Sequence, residues 1–320
     1  MRRLLVSFAC AALICSGGAR AQTPAEAVAL RVGVGLDDQS KPIFYALQAG
    51  LFRKAGLDVQ LVTLTGGGAA IAAAIAGGSL DLGKSNVLEL ISAHVRGLPF
   101  TLVAPGAGTG AFDHNGASIV AAKSPIKTGR DLNGKTVAVL SLVTIQSIAV
   151  RAWIDANGGD SSTVHFLEVP PSATQAALEQ GRVDAASVLE PILSQSLSTG
   201  NARALSYPYG AIAPRFDGAD YFTTTDFAAK HRDVLERFVR AIHDANVYVT
   251  AHESETNALV GQYAKIDPAL LEHMSHSERP AYLDAAAIQP LIDMAARYKF
   301  IAKTFPAQEL ISDIALKPGR

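Results

Sequence analysis

The stretch AAIAGGSLDL, residues 73–82, decides the fold because it returns as AALEQGRVDA at residues 176–185. The two stretches are offset by a constant 103 residues. In each, a helix of small residues ends at a glycine that can take the left-handed conformation, and a strand that carries an aspartate begins two residues later. Because this echo occupies the same step in both halves of the chain, it predicts two similar lobes.

Short apolar runs alternate with helical stretches on both sides of each copy. This alternation implies parallel strands joined by crossover helices, so the predicted class is α/β with mixed sheets that are rich in parallel pairs. The predicted strands are 30–34, 59–64, 80–82, 118–120, 136–140 and 164–169, and the predicted helices are 42–49, 69–76, 87–95 and 145–157, followed by a helix-to-strand step over 173–189.

Two segments rich in glycine, proline and aspartate, residues 105–116 and 207–219, are predicted to cross between the lobes as a hinge. The tail, residues 226–299, has apolar side chains spaced by about one helical turn, which predicts helices that pack back on the first lobe. The predicted division of the chain is residues 22–106 with 209–320 for lobe 1 and residues 107–208 for lobe 2.

The first 21 residues have the three parts of a secretory signal peptide. Two arginines, Arg2 and Arg3, precede an apolar run over residues 4–15, and small residues at Ala19 and Ala21 suit a signal peptidase. The apolar run is shorter than the roughly 20 residues that a membrane anchor needs. We therefore predict cleavage after Ala21 and export to the periplasm through the general secretory pathway.

Removal of the signal peptide changes what chemistry the chain can supply. Both cysteines, Cys10 and Cys15, lie inside it, so the mature chain can form no disulfide, thiolate zinc site or cysteine nucleophile. The mature chain keeps 25 basic and 29 acidic residues, a net charge of −4. An acidic balance of this kind excludes a nucleic-acid partner.

The motifs that resemble enzyme sites do not withstand inspection. Residues 78–85 match the phosphate-binding pattern G-x-x-x-x-G-K-S, but an Ala-rich helix precedes them and Leu80-Asp81-Leu82 is itself predicted to be a strand. The nearest histidine pair, His273 and His276, lacks carboxylates at zinc-site spacing and is interpreted as surface helix. No serine sits in a G-x-S-x-G turn. We therefore predict a protein that is not an enzyme, with no metal and no cofactor.

Four polar or glycine-rich turns follow predicted strands. In a parallel sheet such turns emerge at the carboxyl edge, where ligands bind, and the helix N-termini there suit a small anion. Ordinary helix capping explains any single turn equally well. Four turns on the facing edges of two lobes favour a ligand site, and they are residues 39–42, 65–68, 84–86 and 141–146.

The residues from about 30 to 305 resemble the substrate-binding proteins of nitrate, sulfonate and taurine ABC importers and the related binders of thiamine-precursor pyrimidines. The resemblance is carried by FYALQA (44–49), GLF (50–52), AGLDV (55–59), GSLDLG (78–83), DLNGKTVAV (131–139), GRVDA (181–185) and EP (190–191). It implies the two-lobed type II periplasmic binding protein fold, which closes on its ligand and delivers that ligand to an inner-membrane permease.

The resemblance implies a monomer that binds a small organic anion such as a sulfonate, a nitrate-like ion or a carboxylate. Alternatives are a thiamine-precursor pyrimidine as ligand, a ligand-sensing role in signalling, or a secreted enzyme on the same fold. Lys41 could also be a solvated surface residue, Glu190 a hinge hydrogen-bonder and Arg215 a linker charge. The predicted ligand contacts are Gln39, Ser40, Lys41, Phe44, Gly66, Gly67, Gly68, Ser85 and Asn86 in lobe 1, Ser141, Thr144, Gln146 and Glu190 from the other side, and Arg215 in the second crossing.

Overall fold

The computed structural model describes residues 27–64, 67–110, 114–190, 192–264, 271 and 275–318. The predicted signal peptide and Gly66 lie outside these residues. Within them, no helix combines the length and the apolar character that crossing a membrane would require.

Ten strands form two open five-stranded sheets in the described part of the chain. The first sheet has the order β2-β1-β3-β10-β4 and the second has the order β7-β6-β8-β5-β9. The strands of the first are β1 (Val28–Gly33), β2 (Leu57–Val62), β3 (Leu82–Asn86), β4 (Phe100–Gly110) and β10 (Arg215–Thr224), and those of the second are β5 (Gly116–Ala121), β6 (Thr136–Val139), β7 (His165–Glu168), β8 (Ala185–Leu189) and β9 (Ala202–Ser206).

Both sheets combine parallel and antiparallel pairs in the same arrangement. In the first, β1 pairs in parallel with β2 and β3, and β10 runs antiparallel to β3 and β4. In the second, β6 pairs in parallel with β7 and β8, and β5 runs antiparallel to β8 and β9. The prediction of α/β lobes with mixed, parallel-rich sheets is therefore confirmed.

The repeated stretch has the same structural role in both sheets. Gly78 and Gly181 both have left-handed backbones, with φ of 73° and 66°. The aspartates that follow, Asp81 and Asp184, accept hydrogen bonds from the backbone N–H of Arg31 at 2.8 Å and of Thr136 at 2.9 Å. Each aspartate thus ties the start of a central strand to its parallel neighbour. The strands begin one residue after the aspartates, at residues 82 and 185, and not two residues after the glycines.

Helices cover the two faces of each sheet. Buried apolar side chains of β1, α1 and α9 form one core of the first lobe, and those of α3, α4 and α11 form another that also receives Ile145 and Ile148 of α5. The helices are α1 (Lys41–Gln48), α2 (Leu51–Lys54), α3 (Gly67–Ala76), α4 (Val87–Val95), α5 (Ile145–Ala156), α6 (Pro171–Glu179), α7 (Ile192–Ser198), α8 (Thr225–Lys230), α9 (Arg232–Ala251), α10 (Glu253–Ala264) and α11 (Ala285–Arg297).

The C-terminal helices pack as their sequence pattern predicts. The buried face of α9 includes Val234, Phe238 and Ile242, and Phe238 stacks on Phe52 of α2 with ring centroids 5.4 Å apart. Helix α11 also reaches the second lobe, because the Tyr298 hydroxyl just after it donates to Asp155 of α5 at 2.8 Å. The tail therefore covers the first lobe and contacts the second.

The two predicted crossing segments are shorter than their composition suggests, and this part of the prediction was wrong. Strand β4 continues to Gly110 and β10 begins at Arg215, and these strands pair with each other along their length. Glycine here permits close backbone approach, since a Cβ at Gly106 would lie 2.6 Å from the carbonyl oxygen of Ala219. Among the described strands, the chain passes from the first sheet to the second after β4 and returns after β9. The exact lobe boundaries stay a prediction.

Candidate functional site

A cleft of about 310 Å³ lies between the two sheets. Its lining comes from the ends of strands, from helix N-termini of both lobes and from the crossing segments. The described lining residues are Val34, Gly35, Asp37, Gln39, Leu64, Gly67, Gly68, Ile71, Lys84, Ser85, Asn86, Glu89, Thr109, Asn115, Leu140, Thr144, Ile145, Gln146, Leu189, Tyr209, Gly218, Ala219 and Ser277.

The glycine-rich turn brings the N-terminus of α3 to this cleft. Gly67 has a left-handed backbone with φ of 63°. A Cβ at Gly68 would lie 2.1 Å from both Ser85 Oγ and Glu89 Oε2, so only glycine fits there without displacing these groups. The turn therefore brings the Gly68 backbone against the polar side chains of Ser85 in β3 and Glu89 in α4.

Lys84 supplies the positive charge of the described cleft lining, although the sequence interpretation gave it no ligand role beyond its turn. Its Nζ donates to Ser40 Oγ at 2.7 Å and to Asp37 Oδ1 at 3.1 Å. Burial lowers the pKa of Lys84, and the nearby Asp37 carboxylate opposes that shift. An ammonium has three N–H donors, so one of them has no partner among the described residues and can serve a ligand in the cleft.

Ser85, the serine of the rejected phosphate-loop match, also lines the cleft. Gly83, Lys84 and Ser85 lie inside β3, which agrees with the interpretation that this segment is not a phosphate-binding loop. Ser85 Oγ donates to Glu89 Oε2 at 2.6 Å. Asn86 Oδ1 accepts the backbone N–H of Leu88 and caps α4. A strand, not the predicted turn, therefore presents these side chains.

The second lobe meets the cleft with the N-terminus of α5. Thr144 caps this helix in a reciprocal pair with Ser147. Gln146 lies in the first turn and is only 6 % exposed, yet its side chain makes no hydrogen bond to a described residue. Ser141 precedes the helix but is not among the lining residues. Three helix N-termini, of α3, α4 and α5, therefore converge on one cavity.

The structure places Ser40, Lys41 and Phe44 behind the cleft. Ser40 is fully buried and donates to the Gly35 carbonyl at 2.6 Å. Phe44 is fully buried in the core and stacks on Tyr263, with ring centroids 4.2 Å apart. Lys41 is also fully buried, so the alternative of a solvated surface residue is wrong. None of the three lines the described cleft.

Lys41 belongs to a buried ionic network that connects the first-strand turn to α10. Its Nζ pairs with Glu253, lies 3.2 Å from Asp38 and donates to Asn257 at 2.6 Å. Asp38 also accepts two 3.1 Å hydrogen bonds from Arg279. Burial alone would raise the pKa of Asp38, but the hydrogen bond from His276 and the charges of Arg279 and Lys41 hold it well below its ordinary value.

The same network contains a group of potential metal ligands, Asp38, Glu253 and His276, whose ligating atoms lie within 4.8 Å of one another. The Lys41 ammonium stands among them, 3.5 Å from His276 Nδ1. It occupies the position that a cation would need. His276 itself is partly buried against Asp38 at 2.7 Å, so its interpretation as surface helix was wrong. His273 lies outside the described residues.

Glu190 and Arg215 also lie outside the described cleft lining. Glu190 accepts the Ser194 backbone N–H at 3.1 Å and the Ser194 hydroxyl at 2.9 Å, as a cap for α7. Arg215 is exposed and pairs with Glu278 at 3.5 Å. Glu190 does line a second cavity, of about 290 Å³ and mostly apolar, which shares Leu140, Gln146 and Leu189 with the cleft.

The cleft includes polar side chains that sequence reasoning missed. Lys84 lies in a predicted turn and in the rejected phosphate-loop match, and Asp37 lies two residues before the first predicted turn, but neither was predicted as a contact. Asn115 and Ser277 are joined by a 2.6 Å hydrogen bond across 162 residues of sequence, and no local pattern signals such a contact. The remaining missed polar residues of the lining are Glu89, Thr109 and Tyr209.

Two mixed α/β lobes with a cleft between them are the arrangement of the periplasmic binding protein fold. The crystal structure of the periplasmic aliphatic sulphonate binding protein SsuA from Escherichia coli has this fold, with a TM-score of 0.74 and 20 % identity over 91 % of this chain and 94 % of that one. The predicted two-lobed fold is therefore confirmed.

The chain belongs to the NMT1/THI5-like family, whose model matches residues 37–256, more than half of the sequence. Among its relatives, the putative aliphatic sulfonates-binding protein of Bacillus subtilis is 23 % identical over 98 % of this chain and 95 % of its own length. The Escherichia coli protein of the same description is 24 % identical over 66 % of each chain, so the match spans just under two thirds of that relative.

Proposed function

We propose that this protein is the extracytoplasmic solute-binding component of an ABC importer and that it holds a small organic anion, a sulfonate or a carboxylate, between its lobes. The observation that carries the proposal is the convergence of three helix N-termini and Lys84 on one interlobe cleft. Helix N-termini offer unpaired N–H groups and partial positive charge, which stabilise an anion. The names of the sulfonate-binding relatives support the same ligand class.

The contacts available in the cleft set the expected affinity. Lys84 has one donor without a partner among the described residues, Gln146 offers a carboxamide, and Thr109 offers a hydroxyl. A few charge-assisted hydrogen bonds in a closed site correspond to about 8 kcal/mol of binding free energy, a dissociation constant near 1 μM. We therefore propose as ligand contacts the predicted residues that line the cleft, which are Gln39, Gly67, Gly68, Ser85, Asn86, Thr144 and Gln146, together with Lys84.

Isothermal titration calorimetry tests the proposal directly. The purified mature protein is titrated with short alkanesulfonates, nitrate, short carboxylates and an aminopyrimidine, and native mass spectrometry checks for a small molecule retained from expression. We expect micromolar binding of at least one organic anion. Failure of every sulfonate and carboxylate to bind would overturn the proposal.

The second candidate function is binding of a thiamine-precursor pyrimidine. It is favoured by Glu89, whose Oε1 has no described hydrogen-bond partner and could accept from an exocyclic amino group. Binding of the aminopyrimidine together with no response to any anion would select this candidate.

The cellular role follows from the same proposal. We propose export to the periplasm, a monomeric state, delivery of the ligand to an inner-membrane permease, and no turnover of the ligand. The binding-protein names of the relatives support a role in binding without turnover. Light scattering of the purified protein checks the monomer, and incubation with the bound ligand followed by mass spectrometry checks that the ligand is returned unchanged.

A further inference from the structure

A further cavity, of about 530 Å³, lies beside strand β10, and we call it the β10 cavity. Its described lining comes from the start of β10, from residues 280–284, 286 and 287 around the N-terminus of α11, and from Pro318. Asp217 of β10 lines this cavity, whereas the next two residues of the strand, Gly218 and Ala219, line the cleft. The described linings share no residue, so the β10 cavity is separate from the cleft.

Asp217 brings a buried carboxyl oxygen without a partner to this cavity. The residue is 1 % exposed, and its carboxyl accepts the backbone N–H of Asp284. Its Oδ2 is buried and has no hydrogen-bond partner in the described part of the chain. Buried polar side-chain atoms in folded proteins are mostly hydrogen-bonded, so an unpartnered one needs an explanation. A ligand in the β10 cavity that donates a hydrogen bond to Oδ2 provides that explanation.

The charges around Asp217 favour a cation as that donor. Asp284 lines the same cavity, and Glu278 and Asp220 lie close enough for their charges to interact with that of Asp217. Arg215 is the basic residue of the described lining, but its guanidinium pairs with Glu278 at 3.5 Å. Four carboxyls are therefore grouped with one basic side chain, and burial raises the pKa of Asp217 to about 7. A bound cation would favour the ionised form of this carboxyl.

The remaining lining favours an organic ammonium over a metal ion. Calcium takes about six to eight oxygen ligands, and magnesium requires an octahedron of them. The carboxylates of the described lining are those of Asp217 and Asp284, and Asp284 Oδ1 already accepts the Ala286 backbone N–H at 2.9 Å. Apolar walls with few polar groups, in cavities of roughly 300–1,000 Å³, are typical of sites for small organic molecules. The apolar lining residues are Pro280, Ala281, Leu283, Ala286, Ala287 and Pro318.

We infer that the β10 cavity is a second binding site, for a small organic ammonium ion with an apolar body, and that Asp217 Oδ2 accepts a hydrogen bond from its nitrogen. The exposed Asp284 carboxylate adds negative charge to the site. The apolar walls cover the body of the ligand and remove its surface from water. This site is independent of the proposed function, because the cleft takes no part in it.

Matched amines and alcohols test the inference on the mature wild-type protein. Butan-1-amine and cyclohexylamine are titrated by calorimetry at pH 8, where the Asp217 carboxyl is largely ionised, and butan-1-ol and cyclohexanol are their neutral partners. We expect at least one amine to bind with a dissociation constant below about 1 mM. Its alcohol should bind at least tenfold more weakly, because it lacks the charge-assisted hydrogen bond.

Two variants place the amine. Asp217→Asn keeps the shape and removes the charge, and it should weaken amine binding at least tenfold. Ala286→Phe keeps the carboxyls but fills the cavity from an exposed position, and it should abolish amine binding. Asp226→Asn makes the same change as Asp217→Asn at an exposed position on α8 and should bind the amine as the wild-type protein does.

The outcomes are separate from those of the anion screen. If neither amine binds, or if an amine and its alcohol bind equally, the inference is overturned. Amine binding that persists in Ala286→Phe, with a native circular dichroism spectrum, places the amine elsewhere and also overturns it. Anion binding in the cleft should be unchanged in both Asp217→Asn and Ala286→Phe, so failure of the anion screen contradicts only the proposed function.

Discussion

At the scale of single residues, two buried lysines differ in the partners of their ammonium groups, and this difference separates a structural cation from the proposed ligand-binding one. Lys41 and Lys84 are 0 % and 5 % exposed, and both pair with aspartates. The Lys41 ammonium contacts Glu253, Asp38 and Asn257 inside the fold. The Lys84 ammonium donates to Ser40 and Asp37, and its third donor has no partner among the described residues. The same residue type therefore serves stability in one place and, in our proposal, recognition in the other.

Replacement of Lys84 should weaken ligand binding. Lys84→Met keeps the aliphatic stem but removes a charge-assisted hydrogen bond, which contributes about 1.5–3 kcal/mol, so we expect a tenfold to hundredfold rise in the dissociation constant. Calorimetry measures this dissociation constant with the ligand that the titration panel identifies. An unchanged affinity in a folded variant would contradict the placement of the anion beside Lys84.

Lys41→Met is the matched comparison, with the opposite expectation. Removing one partner of a buried ionic network leaves Asp38 and Glu253 without that cation, at a cost of about 3–5 kcal/mol in the free energy of unfolding. Urea unfolding should show this loss, and ligand affinity measured well below the transition should change little. A large loss of affinity without loss of stability would mean that Lys41 reaches the ligand.

Gly68 is the position where an added methyl group would most directly disturb the proposed site. Gly68→Ala would bring a Cβ within 2.1 Å of Ser85 Oγ and Glu89 Oε2, so both side chains must move. This overpacking should lower the free energy of unfolding by about 1–3 kcal/mol. We expect at least tenfold weaker binding by calorimetry. Gly77→Ala, near the other end of α3, would place a Cβ 3.3 Å from the Ala73 carbonyl oxygen and away from the cleft, so this variant should bind normally.

At the scale of elements, strand β10 of the first sheet carries two buried carboxyls, those of Asp217 and Asp220. Burial raises the pKa of Asp217 to about 7, against the opposing charge of Arg215 and with additions from Asp284 and Glu278. Burial and the neighbouring Asp217 raise the pKa of Asp220 further, although a hydrogen bond from the Gly106 N–H opposes this. Both groups are therefore held in their protonated forms more firmly in the folded chain than in the unfolded chain.

The stability of the protein should consequently depend on pH with a defined sign. A raised carboxyl pKa contributes stability that is fully present below the ordinary value of 3.8 and is lost as the pH rises through about 7. For Asp217 this amounts to up to roughly 4 kcal/mol. Urea unfolding between pH 4.5 and 8 should show a falling free energy of unfolding, and Asp217→Asn should flatten the fall. Asp226→Asn, at an exposed position, should leave the fall unchanged. A free energy of unfolding that rises with pH over this range would contradict the raised pKa of Asp217.

At the scale of the whole molecule, the predicted removal of the signal peptide would leave the mature protein without cysteine. We predict that the chain recovered from the periplasm begins at Gln22, because peptidase cleavage follows Ala21. Intact-mass spectrometry should give the mass of residues 22–320, and a thiol assay on the unfolded protein should find no free thiol. Substitution of both Ala19 and Ala21 by arginine should leave the precursor uncleaved, and efficient processing of that variant would contradict the predicted site.

The sequence predicted much of the architecture, and particular residues show why. The spacing of Val234, Phe238 and Ile242 reports the buried face of α9 because helical periodicity is a local property. The sequence repeat around Asp81 and Asp184 corresponds to a repeated structure, because each aspartate links neighbouring strands in the same way. The glycines of 105–110 misled the prediction, since glycine marks close strand packing as well as loops.

By itself, the sequence determined the two-lobed α/β fold and the family, because these depend on local patterns and on their order along the chain. The signal peptide stays a prediction from the same kind of pattern. Only the tertiary structure decided which charges face the cleft. Lys41 points into the fold because Glu253 and Asn257 lie beside it in space, although they are more than 200 residues away in sequence. Lys84, in contrast, reaches the cleft from β3. Pairing of distant charges follows from packing, which no local pattern encodes.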